Sequence, residues 1–267
     1  MIKARFGGLE VLTRFPPGEP RPVPLLFVHG AYTAAWCWEE HFLPFFAEAG
    51  YAAYAVSLRG HGRSGGRVFL DSFSIADYVK DVATVVAELP AAPVLVGHSM
   101  GGMVVQKYLE QAAVPAAVLM CSVPPQGLWT SAVGLALKKP GLLGELNRLL
   151  GGGRVALDAL SEALFAQPLP ADLLRRYYQL SQPESHRAIW DMTLFNLPSP
   201  GGMHRVPMLV LGAEFDHLIP ASVVEMTART YGAEVEIFPG MGHGLMLERD
   251  WQQVAARIQG WLQRIGI

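Results

Sequence analysis

The chain of 267 residues predicts an α/β fold: a mostly parallel, doubly wound sheet with one helical insertion after its sixth strand. Three observations carry that expectation. From Leu25 onward, apolar runs of strand length alternate with amphipathic stretches, which requires parallel strands joined by right-handed crossovers. The alternation stops near Pro124 and resumes after Met203, with no strand-like run between. At 94–104 an apolar run breaks into Gly97-His98-Ser99-Met100-Gly101 and then turns helical. Residues 1–123 and 204–267 therefore read as one core domain, and 124–203 as an insertion into it.

The elements follow in order. Residues 1–15 alternate weakly and are expected to form an antiparallel hairpin at the sheet edge, followed by a turn at Pro16-Pro17-Gly18-Glu19-Pro20. Leu25–Val28 is the next strand, and His29-Gly30-Ala31-Tyr32-Thr33 the loop after it. The run 51–58 leads into Gly60-His61-Gly62-Arg63-Ser64-Gly65, which matches the dinucleotide fingerprint G-x-G-x-x-G. That fingerprint needs its third glycine to open a helix directly. Here 66–70 intervene and the next helix starts near Ser72 or Ser74, so no nucleotide is expected. Over 75–89, Ile75, Val79, Val82, Val86 and Leu89 fall on one helical stripe. Val94-Leu95-Val96 is the strand before the serine, and 114–122 the strand after the serine's helix. The insertion is rich in Leu, Ala and Gly, with helical stretches expected around 129–138, 142–150, 155–166, 170–180 and 184–195. Gly151-Gly152-Gly153 lacks the Gly-Lys-Ser/Thr ending of a phosphate loop and reads as a hinge or loop. Strands resume at 206–212 and 235–238.

A serine between two glycines at a strand-to-helix corner reads as a nucleophile elbow. The turn is so tight that a Cβ at the flanking positions would strike neighbouring backbone, and the Ser99 hydroxyl is left over the sheet edge. Such a serine needs a base, and the base an orienting acid. In elbows of this type the acid comes next in the chain and the histidine last. The strand 206–212 opens into Ala213-Glu214-Phe215-Asp216-His217-Leu218-Ile219-Pro220, and 235–238 opens into Pro239-Gly240-Met241-Gly242-His243-Gly244. Asp216 and His243 thus stand just past two parallel strands, where open α/β sheets place their sites. Glu214 is the competing acid, but Asp216 lies deeper in the strand-end loop, and His217 is too close in sequence to face Asp216. The oxyanion hole should use the Met100 amide at the positive end of its helix. Ala31 is the expected second donor and Tyr32 the fallback, with Gly30 permitting the bend. His29, His41, His61, His98, His186 and His204 are expected to pack or hydrogen-bond locally. None has metal-ligand spacing, so neither metal nor cofactor is expected.

Together these residues resemble the α/β-hydrolase superfamily, in its lid-bearing serine esterase-like branch, over nearly the whole chain. HGAYTAAWCW at 29–38 is similar to that family's histidine–glycine loop with its downstream tryptophan, and SLRGHGRS at 57–64 to its turn after the following strand. GHSMGG resembles its elbow, AEFDHLIP its acid loop and PGMGHGLMLE its histidine loop. Ser57 departs from the pattern, where many members carry aspartate, but that position serves the turn. Serine as nucleophile argues against the dehalogenases and epoxide hydrolases, and Gly244 stands where hydroxynitrile lyases carry lysine. The resemblance implies the α/β-hydrolase fold, with 124–203 as a helical lid (cap) that excludes water over the elbow. Trp129, Leu135, Leu146, Phe165, Tyr178, Trp190, Met192 and Phe195 are then candidate pocket residues, with simple burial the alternative for each. The implied activity is cleavage of a neutral, largely apolar carboxylic ester through a Ser-His-Asp triad and an acyl-enzyme. A lactonase, thioesterase, acyltransferase or perhydrolase could use the same triad, as could a receptor-like binding protein with slow turnover.

Composition agrees with an enzyme acting on a small molecule. A formal charge of −2 gives no electrostatic footprint for nucleic acid, and 51% apolar content supports a full core. Cys37 and Cys121 are too few for a disulfide framework and read as reduced, packed thiols. The opening residues lack the apolar region of a signal peptide, and no stretch approaches the roughly 18 apolar residues of a membrane span. The expectation is a cytoplasmic monomer or homodimer whose partner is an ester substrate.

Overall fold

The computed structural model describes residues 2–129, 141, 144 and 156–267. Its strands are β1 (Ile2–Phe6), β2 (Leu9–Arg14), β3 (Leu25–Val28), β4 (Ala53–Val56), β5 (Val94–His98), β6 (Ala117–Met120), β7 (Met208–Ala213) and β8 (Glu234–Phe238). They form one eight-stranded sheet in the order β1-β2-β4-β3-β5-β6-β7-β8. The expected hairpin is present: Gly7 and Gly8, at φ of 55° and 85°, make the tight turn between β1 and β2. β2 also runs antiparallel to β4, and every remaining pair is parallel.

Alternate residues of a strand face opposite sides, and here both sides are covered. Leu25 and Phe27 pack with Trp38 of α1 (Trp36–Glu39), with Phe42 and Phe46 of α2 (Phe42–Glu48), and with Trp261. Leu26 and Val28 pack instead with Val79 of α3 (Ile75–Glu88) and Val104 of α4 (Met100–Tyr108). Burial from both faces explains why the strands read as unbroken apolar runs. Each such side chain contributes about 1.5–3 kcal/mol relative to exposure. Ser74, not Ser72, opens α3: its hydroxyl accepts from the Asp77 amide, and the Asp77 carboxylate accepts from the Ser74 amide. The strand read at 114–122 is shorter, because Cys121 at φ 43° turns the chain off the ladder after Met120.

Between β6 and β7 no described residue is in a strand. α5 (Leu157–Leu164), α6 (Ala171–Leu180) and α7 (His186–Trp190) occupy three of the expected helical stretches, and α7 runs on into a π-helical turn, Asp191–Phe195. Leu135, Leu146 and the triple glycine lie outside the described residues, as does most of 129–150. After β7 come α8 (Ala221–Tyr231) and, after β8, α9 (Trp251–Arg264). No described helix is long and apolar enough to cross a membrane. Cys37 and Cys121 are buried free thiols.

β3 lies between β4 and β5, so the winding of the sheet reverses direction there. The carboxyl ends of strands at such a reversal open into the crevice where α/β folds bind ligands.

Candidate active site

Ser99 follows β5 directly and has φ 52° and ψ −117°, a backbone conformation that costs a residue with a Cβ about 1–3 kcal/mol. Neighbouring backbone pins it there: the Ser99 amide donates to Met120 O at 3.0 Å, and the Val123 amide donates to Ser99 O at 3.1 Å. The flanking glycines are steric necessities. A Cβ on Gly97 would lie 2.4 Å from Gly101 O, and one on Gly101 would lie 2.3 Å from Val28 O. Met100 is the first residue of α4, whose opening amides have no intrahelical acceptor.

The loops after β7 and β8 meet beside this corner. His243 Nδ1 lies 2.7 Å from Asp216 Oδ2, and both side chains are buried. Asp216 Oδ1 accepts from the Leu218 and Ile219 amides, each at 2.8 Å. Burial works to raise the Asp216 carboxyl, but the His243 ring and these two amides outweigh it, so the group lies below the ordinary carboxylate range. Glu214 is exposed and accepts instead from the Gly240 amide. His217 is only half-buried. A third group, the Cys121 thiol, completes a cluster whose ligand atoms lie within 4.8 Å of one another. Burial first, then the neighbouring Asp216 charge, push that thiol well up. Asp216 is already engaged by His243 and two backbone amides, and the thiol packs against that acid–histidine pair.

Two residues brace the histidine loop from a distance. His98 Nε2 donates to His243 O at 2.9 Å, and the two rings sit 4.7 Å apart. His98 is packed, as expected, but its hydrogen bond is not local: it spans 145 residues. Gly30 leaves room for it, since a Cβ there would lie 2.8 Å from His98 Nδ1 and 3.1 Å from Ser99 Cβ. Glu248 is the second brace. Its Oε1 accepts from the Gly242 and Ala166 amides, each at 2.7 Å, and its Oε2 from the Gln167 amide at 3.2 Å. The Gly244 amide also donates to Leu164 O at 2.7 Å, so the end of α5 is seated on the histidine loop. Sequence reasoning missed Glu248. The only signal was a lone acid in the apolar stretch that follows His243.

The loop after β3 carries the expected amide of Ala31. Thr33 Oγ1 donates to Gly30 O at 3.0 Å. His29 Nε2 accepts from the Leu58 amide at 3.1 Å, which leaves Nδ1 to donate to Gly30 O at 2.8 Å. The Ser57 hydroxyl accepts from the Ala35 amide at 3.1 Å and donates to Glu10 at 2.8 Å, so it ties the end of β4 to the start of α1 and to β2.

The proposed pocket residues scatter. Phe165 is buried against Gly244, where a Cβ would lie 3.0 Å from its ring. Met192 is buried in the core, and Tyr178 is half-buried. Its neighbour Tyr177 is the buried one, with its ring 5.5 Å from Trp36 and 6.1 Å from Phe165. Trp129, Trp190 and Phe195 are 58%, 58% and 75% exposed, and among the described residues Trp190 and Phe195 line an open surface hollow together with Arg187 and Asp191.

Two buried histidines make a pH prediction. Burial, then the nearby His61, lower His29 to about 3; burial, then His243, lower His98 to about 3. The unfolded chain takes up these protons near the ordinary histidine value of about 6.5, the folded one only far lower. Their contribution to stability is therefore complete above about 6.5 and lost as pH falls toward 3. Glu248, raised by burial, has the opposite sign. The urea midpoint should be lower at pH 5 than at pH 7, and His98→Gln should flatten the difference. An equally steep dependence in the variant would show that His98 is not a source of it.

The alpha/beta hydrolase family model matches residues 25–257. The monoacylglycerol lipase of Mycolicibacterium smegmatis is 27% identical over 282 aligned positions, covering 97% of this chain and 95% of that protein. A bifunctional esterase/perhydrolase of Acinetobacter calcoaceticus is 37% identical over 111 positions, 40% of this chain and 39% of its own. Among solved structures, an esterase from Exiguobacterium antarcticum shares the fold with a TM-score of 0.74 at 20% identity, covering 96% of each chain.

Proposed function

The chain belongs to the alpha/beta hydrolase family, and from that premise we propose that it is a carboxylic ester hydrolase working through Ser99, His243 and Asp216. The observation that carries the reading is the bond from His243 to Asp216 at 2.7 Å, formed beside a serine held in strained backbone.

His243 takes the proton of the Ser99 hydroxyl as its oxygen attacks the ester carbonyl. Asp216 holds the imidazole through Nδ1 and stabilises the imidazolium. The Met100 and Ala31 amides donate to the tetrahedral oxyanion, each worth about 3 kcal/mol. As the intermediate collapses, His243 protonates the departing alcohol and the acyl group stays on Ser99. Water, deprotonated by His243, then releases the acid and restores the serine. Residues 124–203 act as the cap, with the end of α5 seated on the histidine loop through the bond from the Gly244 amide to Leu164 O. The buried thiols fit a reduced, cytoplasmic setting.

The likeness to the esterase/perhydrolase favours a second reading of the deacylation step. Hydrogen peroxide in place of water would attack the acyl-enzyme and leave as a peracid, with no change in the acylation half. A fluorophosphonate probe followed by an aryl-ester chain-length panel, with and without peroxide, tests both. The expected result is a single adduct on Ser99 and multiple turnovers on short to medium chains. An adduct elsewhere, or ester cleavage limited to one turnover, would reject the hydrolase reading. A hydrolysis product free of peracid in peroxide would reject the second.

A further inference from the structure

The segment between α6 and α7 reaches from the insertion onto the loop after β3. The Gln182 backbone amide donates to Tyr32 O at 2.9 Å, and its side-chain Nε2 donates to Thr33 O at 2.8 Å. Its Oε1 accepts from the Gly62 amide at 3.1 Å and from Arg67 Nη1 at 2.7 Å. One residue thus ties together three stretches that are remote in sequence.

The segment is itself immobilised. Two residues on, Glu184 is wholly buried. Its Oε1 accepts from the Tyr78 hydroxyl at 2.6 Å and from the Ser185 amide at 2.8 Å, while Oε2 lies 3.1 Å from His61 Nε2. The Ser185 hydroxyl donates to Phe73 O and accepts from the Ala188 amide at the start of α7. A buried carboxylate with this many partners makes a stiff anchor, since pulling it free would strand several polar groups.

The loop that Gln182 grips needs a grip. Tyr32 has φ 63°, a left-handed conformation that a residue with a Cβ occupies only when its surroundings impose it. Relaxation of Tyr32 would turn the 31–32 and 32–33 peptide planes that flank it and, through the Ala31 Cα, displace the Ala31 amide in the plane before them. Donors onto two consecutive carbonyls, Tyr32 O and Thr33 O, oppose that rotation directly. The loop also lies against the nucleophile, as the 3.1 Å from a Gly30 Cβ to Ser99 Cβ shows.

We propose that Gln182 is a positioning residue for the oxyanion hole, holding the strained turn at Tyr32 so that the Ala31 amide stays aimed at the oxyanion. The inference rests on the acyl-transfer reading of Ser99 and adds to it a residue supplied by the insertion.

Gln182→Glu is the sharpest variant. It keeps the length of the side chain and an acceptor for Gly62 and Arg67, but turns the donor facing Thr33 O into a second acceptor. Gln182→Met removes donor and acceptor together at similar volume. Both are assayed on an aryl ester and against an aryl trifluoromethyl ketone, which adds Ser99 to form a hemiketal oxyanion. Removing an oxyanion donor outright costs about 100- to 1,000-fold, so loosening one should lower kcat by roughly 10- to 50-fold. KM should stay within about twofold, the ketone Ki should rise in step with the fall in kcat/KM, and the pH midpoint of kcat/KM should not move. A residue that only supports the fold would lower the unfolding midpoint without this parallel. Gln182→Glu with kcat and Ki within twofold of the parent, alongside an inactive Ser99→Ala, overturns the inference and leaves the acyl-transfer reading intact. An active Ser99→Ala rejects that reading and the inference with it.

Discussion

Ser99→Ala should lower kcat on a short aryl ester by about 10⁴-fold or more, while the thermal unfolding midpoint stays within a few degrees of the parent. The size of the loss follows from what is left behind. Without the hydroxyl no acyl-enzyme forms, and the amides of Met100 and Ala31 can stabilise only slow attack by water. Stability should hold because alanine keeps the Cβ, so the strained backbone at φ 52° and its bonds to Met120 and Val123 are unchanged. Circular dichroism melts beside ester kinetics read both halves. Activity within tenfold of the parent would move the nucleophile elsewhere.

Gly101→Ala should do the reverse and damage the fold first. Its new methyl would sit 2.3 Å from Val28 O and 2.5 Å from His29 O, and both are backbone atoms at the end of a central strand. No rotamer change can relieve such a contact. Either α4 moves off β3 or the strand end bends, at a cost of about 3 kcal/mol or more. Bending would also carry the His29–Thr33 loop away from the serine, so the folded fraction should be slow as well. Gly18 gives the control: nothing lies within 4 Å of a Cβ there, and Gly18→Ala should stay within about 0.5 kcal/mol of the parent. Urea unfolding of the pair decides it, and equal midpoints would show that the contact between α4 and β3 yields freely.

The sheet and the loops of the candidate site were legible in the sequence because their constraints are local. A corner that admits only glycine on either side of a serine must show itself within five residues, and each strand buried on two faces is an unbroken apolar run. What the sequence hides is held together across long spans. Glu248 meets Ala166, His98 meets His243 and Gln182 meets Tyr32, and no short pattern marks any of these pairs. Apolar spacing likewise gives no sign of where α7 widens. The turn at Asp191–Phe195 is π-helical, with the Asn196 amide bonded to Asp191 O five residues back. The wider turn shifts the register of the faces, and the two rings finish outside, 6.2 Å from each other.

The two buried thiols turn the protein into its own clock. Burial pushes Cys37 up to about 12 and Cys121 well above the ordinary thiol value, so an alkylating reagent finds no thiolate until the chain opens. Labelling rates in native buffer therefore measure openings rather than surface chemistry. Cys37 lies under β3 within the aromatic packing, whereas Cys121 lies under the acid. The ratio of their two rates reports whether the rim around Asp216 breathes on its own or only when the whole sheet comes apart.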